Sequence, residues 1–112
     1  MQQPHFRWWI NLYYVYILRC ENNYLYTGIT TDVERRFREH SDGVGKGAKY
    51  TRAHKPLGVE AVWKAEGKSD ASKMEHRIKK LKKDEKEKLI QDANADFIIE
   101  TDGITNRFER IL

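Results

Sequence analysis

Residues 12–20 form a continuous apolar and aromatic run, Leu-Tyr-Tyr-Val-Tyr-Ile-Leu-Arg-Cys, too short for an ordinary helix and rich in strand formers. It predicts a buried central strand. Glu21, Asn22 and Asn23 supply a turn, and residues 24–29 repeat the strand chemistry, so residues 12–29 read as a β-hairpin. Thr31 with Glu34 three residues later has the form of a capping box, and Val33, Phe37 and His40 recur at helical spacing. A helix from about Asp32 to about Ser41 follows. Residues 57–65 read as a third strand, fenced by Pro56 and Gly67. Ser69 is placed to cap a second helix whose Ala71, Met74, Ile78 and Leu81 make one apolar stripe. Asp84 restarts a last helix with Leu89, Ile90 and Ala93 inward and Glu87 in a capping-box position.

The order β-β-α-β-α-α predicts an α/β domain of the α+β kind: a small three-stranded antiparallel sheet with flanking helices. Residues 12–93 make up this domain. Residues 1–11, polar and then aromatic (Phe6, Trp8, Trp9), read as an N-terminal arm, with packing on the sheet preferred over base stacking for the tryptophans. Residues 94–112 are a C-terminal extension in which Asp102-Gly103, flanked by Phe97, Ile98, Ile99 and Ile104, suggests a hairpin or an appended strand. At 112 residues the chain has room for one core.

Composition narrows the function. No apolar run approaches the roughly 20 residues that cross a bilayer, and the opening residues lack signal-peptide order, so a cytoplasmic protein is expected. Cys20 is single, lies in an apolar stretch and reads as core. No Gly-x-x-x-x-Gly-Lys-Ser/Thr pattern occurs, which argues against a nucleotide-binding P-loop. The net charge of +4 is unevenly spread: residues 35–90 hold seventeen basic and nine acidic side chains, while both ends are acidic on balance. Residues 43–55 combine three glycines with Lys46, Lys49, Arg52 and Lys55 and predict a flexible cationic loop. Such a stretch suits a polyanion, with nucleic acid ahead of an acidic membrane surface.

Among the polar residues, Tyr16, Tyr26, Arg36, His40 and Glu75 stand out, although each alone reads as an ordinary structural residue. Their order is more informative. Tyr14-Val15-Tyr16 on the first strand and Tyr26-Thr27-Gly28 on the second resemble the two signature triplets of the GIY-YIG nuclease superfamily. Arg36, ten residues after Tyr26, and His40, four further on, match that family's helix, and Glu75 matches its metal-binding glutamate on the helix after the third strand. The stretch Gly47-Ala48-Lys49-Tyr50-Thr51-Arg52, with Pro56 beyond, resembles small stand-alone bacterial members and the structure-specific branch. Tyr14 replaces the glycine of the first triplet, Thr27 the isoleucine of the second, and Ile29 stands where some members carry a lysine.

The resemblance implies a divalent-metal-dependent endonuclease acting on single-stranded, flapped or branched DNA in repair or recombination. Tyr16, Tyr26, Arg36, His40 and Glu75 would be its catalytic residues. Phosphodiester cleavage needs cationic groups where charge accumulates on phosphorus. Arg36 supplies a permanent cation and Glu75 a ligand for one Mg²⁺ or Mn²⁺. A free tyrosine has a pKa of about 10, so either phenol needs the metal, Arg36 or His40 to accept a proton, and the sequence does not choose between Tyr16 and Tyr26. Lys46, Lys49, Thr51 and Arg52, with Lys79, Lys80, Lys82 and Lys83, are expected at the DNA backbone. A weakly cutting binding module working with a partner protein, and a nuclease acting on RNA, are the alternatives.

One geometric expectation follows from numbering alone. Tyr16 and Tyr26 share a sheet face only if opposed residues sum to an even number. A two-residue Asn22-Asn23 turn would pair Glu21 with Tyr24, an odd sum, and split the phenols. An odd-numbered loop or a bulge is therefore required.

Overall fold

The structure is a computed structural model that describes residues 12–92 and 96–112. The expected arm, its tryptophans and Ala93 lie outside the described residues.

Strand β1 (Tyr13–Cys20) and strand β2 (Leu25–Thr30) form the expected antiparallel hairpin, joined by a single 3-10 turn at Glu21–Asn23. The turn has three residues, with Asn22 and Asn23 at φ 60° and 66°, the left-handed region that asparagine tolerates. Tyr16 therefore stands opposite Gly28 and Leu18 opposite Tyr26, an even register that puts both phenols on one face. Strand β3 (Pro56–Ala65) pairs with the other side of β1, with Tyr16 opposite Val62. A register shift after Ile17 leaves Glu60 between the partners of Ile17 and Leu18, and its carboxylate accepts from Arg19 Nε at 3.0 Å.

Helix α1 (Val33–Ser41) starts as expected, but Asp32 caps it, with its carboxylate accepting the Arg35 N–H at 3.0 Å. Thr31 and Glu34 do not form the anticipated box, because Thr31 sits one residue ahead of the cap. The cationic stretch is less open than its composition suggests: residues 48–53 form a short helix, α2 (Ala48–Ala53), leaving a loop at residues 42–47. Helix α3 (Lys68–Lys79) starts after Gly67 rather than at Ser69 and buries Ala71, Met74 and Ile78. Helix α4 (Lys83–Gln91) is capped by Glu85, which accepts the Lys82 N–H at 2.8 Å. Glu87, expected in that role, receives Arg19 Nη1 and Nη2 at 2.6 and 2.7 Å and so ties α4 to β1.

The sheet has five strands in the order β2-β1-β3-β5-β4, not the expected three. Strands β4 (Phe97–Thr101) and β5 (Ile104–Arg110) form a hairpin whose Asp102 and Gly103 adopt φ 51° and 77°, as a two-residue turn between strands prefers. Strand β5 pairs with the otherwise open edge of β3, Trp63 opposite Arg110 and Lys64 opposite Glu109. Ile99 and Phe108 cover Trp63's side of the core, and Arg110 reaches across, its guanidinium carbon 4.9 Å from the Trp63 ring centre. The same guanidinium donates to the carbonyls of Leu89, Ile90 and Asp92, closing the end of α4.

The sheet separates two packed layers. Val15, Ile17, Ala61 and Trp63 meet α3 and the C-terminal hairpin on one face. Tyr14, Tyr16, Leu18, Cys20, Tyr26 and Val62 meet α1 and α2 on the other, with Val33, Phe37 and Tyr50.

Candidate active site

The second face carries Tyr16, Tyr26 and His40, three of the five residues singled out from the sequence. Tyr16 is 2% exposed, and its ring lies across Gly28 of the neighbouring strand, where an added Cβ would come within 2.4 Å of the phenol oxygen. Only glycine leaves that space. The phenol oxygen is 2.8 Å from Nε2 of His40, which is wholly buried on the inner face of α1. His40 Nδ1 faces Thr51 Oγ1 at 3.4 Å, and that hydroxyl donates to the Gly47 carbonyl at 3.2 Å. A hydroxyl that donates to a carbonyl offers its lone pair to the ring, so the proton is assigned to Nδ1 and Nε2 accepts from the Tyr16 hydroxyl.

Tyr26 completes the aromatic set, with its ring centre 4.8 Å from that of His40 and 6.4 Å from that of Tyr16. Gly47, in the left-handed region at φ 81°, lies against its hydroxyl, and a Cβ there would approach to 2.2 Å. Arg36, one turn before His40, is also buried; Nη1 donates to Glu39 Oε1 at 3.0 Å and to the Val44 carbonyl at 3.2 Å, and Nη2 donates to the Lys46 carbonyl. Three of its five donors are thus engaged. Glu75, at the border of the α3 stripe, has a side chain only 15% exposed and pairs with Lys79 Nζ at 3.3 Å.

Burial sets the protonation states. It raises the Tyr16 pKa well above the usual phenol value; the ionised form of Tyr26 would raise it further, the Arg36 guanidinium opposes this, and Glu75 adds a smaller rise. Tyr26 is raised for the same first reason, again with Arg36 opposing and Glu75 adding. His40 is pushed down to about 4, by burial first and by Arg36 second. At neutral pH both phenols and the imidazole are therefore uncharged. Arg36 and Glu75 thus act on both phenols with opposite sign, and Arg36 acts on His40 as well.

The other expected positions lie elsewhere. Lys46, Lys49 and Arg52 are exposed on the loop and α2, whereas Thr51 is 2% exposed and serves as His40's neighbour. Lys79, Lys80, Lys82 and Lys83 are exposed along α3 and the start of α4. Cys20 is buried, which raises its thiol pKa. Sequence reasoning did not pick Tyr50, whose ring centre is 5.4 Å from that of Tyr26 and whose hydroxyl donates to the Leu25 carbonyl at 3.2 Å. Nor did it pick Gly45 and Gly47, although three glycines at alternate positions were a visible sign of close backbone approach.

A hard divalent ion accepts one protein carboxylate when water and phosphate oxygens fill its remaining positions. Among the described residues no three His, Cys, Asp or Glu side chains cluster as a metal-holding group. Glu75 nevertheless fits that minimal role: its side chain is shielded, its charge is felt by both phenols, and its ion pair among the described residues is to a half-exposed lysine that can turn away.

Two phenols, a guanidinium, an imidazole and a lone carboxylate thus stand around a β-β-α-β core. Residues 12–88 match the GIY-YIG catalytic domain, and the chain belongs to that family of nucleases. Among individual proteins, it is 53% identical over 81 residues to a UPF0213 protein of Vibrio cholerae, covering 70% of this chain and 76% of that one. It is 46% identical over 83 residues to a UPF0213 protein of Natronomonas pharaonis, covering 74% of this chain and 95% of the relative. A solution NMR structure of a UPF0213 protein from Bacillus halodurans shares 44% identity, covers 71% of this chain and 83% of its own, and aligns with a TM-score of 0.46. No helix among the described residues is long and apolar enough to cross a membrane.

Proposed function

We propose that this chain is a divalent-metal-dependent endonuclease that hydrolyses phosphodiester bonds in single-stranded, flapped or branched DNA, in the course of repair or recombination. The observation that carries this reading is the 2.8 Å approach of a buried phenol to a neutral imidazole beside a guanidinium. A buried structural tyrosine needs one hydrogen-bond partner for its hydroxyl, but no guanidinium beside it.

The proton path follows from the hydrogen bonds. A water molecule attacking phosphorus must lose a proton, and neutral Tyr16 is a poor base by itself because burial opposes its phenolate. Its hydroxyl proton is already directed at His40 Nε2, so as the oxygen accepts a proton from water it passes its own to the imidazole. Thr51 holds the ring in the tautomer that accepts it. Arg36 turns its two remaining donors toward the phosphate while Glu39 keeps the guanidinium in place. Glu75 would hold one Mg²⁺ or Mn²⁺, which when bound would supply positive charge at the phosphate. Lys46, Lys49 and Arg52 hold the flanking backbone without reading sequence.

The test is cleavage of a labelled panel of single-stranded, flapped, branched and duplex oligonucleotides, with RNA alongside, in Mg²⁺ or Mn²⁺. Wild type should nick an unpaired or branched DNA. Glu75→Ala and Arg36→Ala should lose about a hundredfold or more in turnover and keep salt-sensitive binding. Undiminished cutting by Glu75→Ala would remove the metal role, and wild-type binding without cutting would leave a binding module.

A further inference from the structure

A series of aromatic rings leads from the catalytic cluster to the surface. Ring centres are separated by 5.4 Å between Tyr26 and Tyr50, 4.9 Å between Tyr50 and His54, and 4.1 Å between His54 and Tyr24. Tyr24, at the outer end, is 47% exposed, held up by the left-handed Asn22-Asn23 turn directly before it. Tyr50 is fixed by its hydroxyl bond to Leu25. His54 Nδ1 is buried and has no hydrogen-bond partner among the described residues. Beside these rings opens a cleft of about 610 Å³, lined by Tyr24 and Tyr50, by the Asn22 and Asn23 turn, and by Lys83 and Lys86 of α4. Lys83 is paired with Glu87, whereas Lys86 makes no ion pair among the described residues.

The lining identifies the class of ligand. An apolar peptide would gain little from two lysines and two carboxamides, and a simple anion would not need two tyrosine rings. Ring faces, a cation and a side-chain amide together suit a nucleobase with its phosphate: the base stacks, the ammonium meets the backbone, and the Asn22 amide meets the base edge, the Asn23 oxygen being held by Arg19 Nη1 at 2.8 Å. A paired base is already stacked within its duplex and cannot enter. We propose that this cleft takes one unpaired base of a DNA strand whose neighbouring phosphate reaches the Tyr16 cluster. The proposal rests on the nuclease reading and deepens it, since the cut strand must then be unpaired at one side of the scissile bond.

Binding is measured by fluorescence anisotropy in EDTA, comparing a labelled oligothymidylate of about fifteen residues with an equally charged oligomer of abasic sites. Wild type should favour the thymidylate by roughly tenfold, within the span of one stacked base. Tyr24→Ala should lose most of that preference while the abasic affinity stays within about twofold, and Tyr24→Trp should retain it. Lys86→Ala should weaken both oligomers alike and lower the salt dependence by about one counterion. Circular dichroism checks that each variant is folded, which the exposure of Tyr24 favours. Equal binding of the two oligomers by wild type, or an intact preference in Tyr24→Ala, would overturn the proposal. Because binding is read without metal, a base preference in EDTA together with no cleavage in the Mg²⁺ or Mn²⁺ panel would support the cleft and sink the nuclease reading, whereas cleavage in that panel without a base preference would sink the cleft alone.

Discussion

The two faces of β1 bury alternate residues of one strand almost equally, yet they do different work. Val15 and Ile17, wholly out of water, meet Trp63, Ala71, Met74 and Ile78, and nothing between them titrates. Tyr16, one position over, is nearly as buried, but its polar tip meets an imidazole that itself meets a hydroxyl. On the first face, removing water is pure gain. On the second, it suppresses ionisation and leaves a set of neutral groups ready to exchange protons. A period of two along a single strand thus divides stability from chemistry.

That division predicts which substitution damages what. Trp63→Ala should cost the most stability, about 3–5 kcal/mol by urea unfolding, because it empties the space between β3, Phe97 and Phe108, while turnover per folded molecule persists. A loss of that size in Tyr16→Phe, which deletes one oxygen, would erase the contrast between the faces.

Acid should act next, and through the second face. His40 is held at about 4 in the fold against about 6.5 in the unfolded chain, so the unfolded state takes up its proton first. The stability from keeping it neutral is fully present above about pH 6.5 and is lost as pH falls toward 4, amounting to at most about 3 kcal/mol. Urea midpoints should fall between pH 7.5 and 5 in wild type and stay nearly flat in His40→Gln. This window lies above that of Glu87, whose bonds to Arg19 and then Lys83 keep it ionised well below the usual carboxylate range.

Glycine gives the finest comparison. Gly103 and Gly47 share a left-handed backbone, but the space around Gly103 is open while Gly47 lies against the Tyr26 hydroxyl. Gly103→Ala should cost about 1 kcal/mol and leave turnover alone. Gly47→Ala should add a collision with the site and lower kcat about tenfold, as single-turnover cleavage would show.

Much of this was legible in the sequence. The parity of the hairpin could be worked out on paper, and the apolar stripe of α3 placed Glu75 at its border. What stayed hidden was set by distant partners. Glu87 has the spacing of a capping residue, yet Arg19, far away in the chain, claims it. Trp63 leaves the edge of β3 ready for β5, but a strand of only modest alternation does not announce where it docks. Thr51 looked like a backbone contact because its neighbours are cationic; its hydroxyl turns inward since α2, too short to show a helical period, aims it at His40. Local propensity finds elements, whereas partners across the fold assign their roles.

The central claim is that Tyr16 and His40 act as one proton relay, and a double-mutant cycle on cleavage measures it most directly. Tyr16→Phe and His40→Gln should each lower kcat by about a hundredfold or more, and the double variant should fall no further than the worse single. Losses that multiply in the double variant would mean that the two residues work separately, and the relay would be wrong.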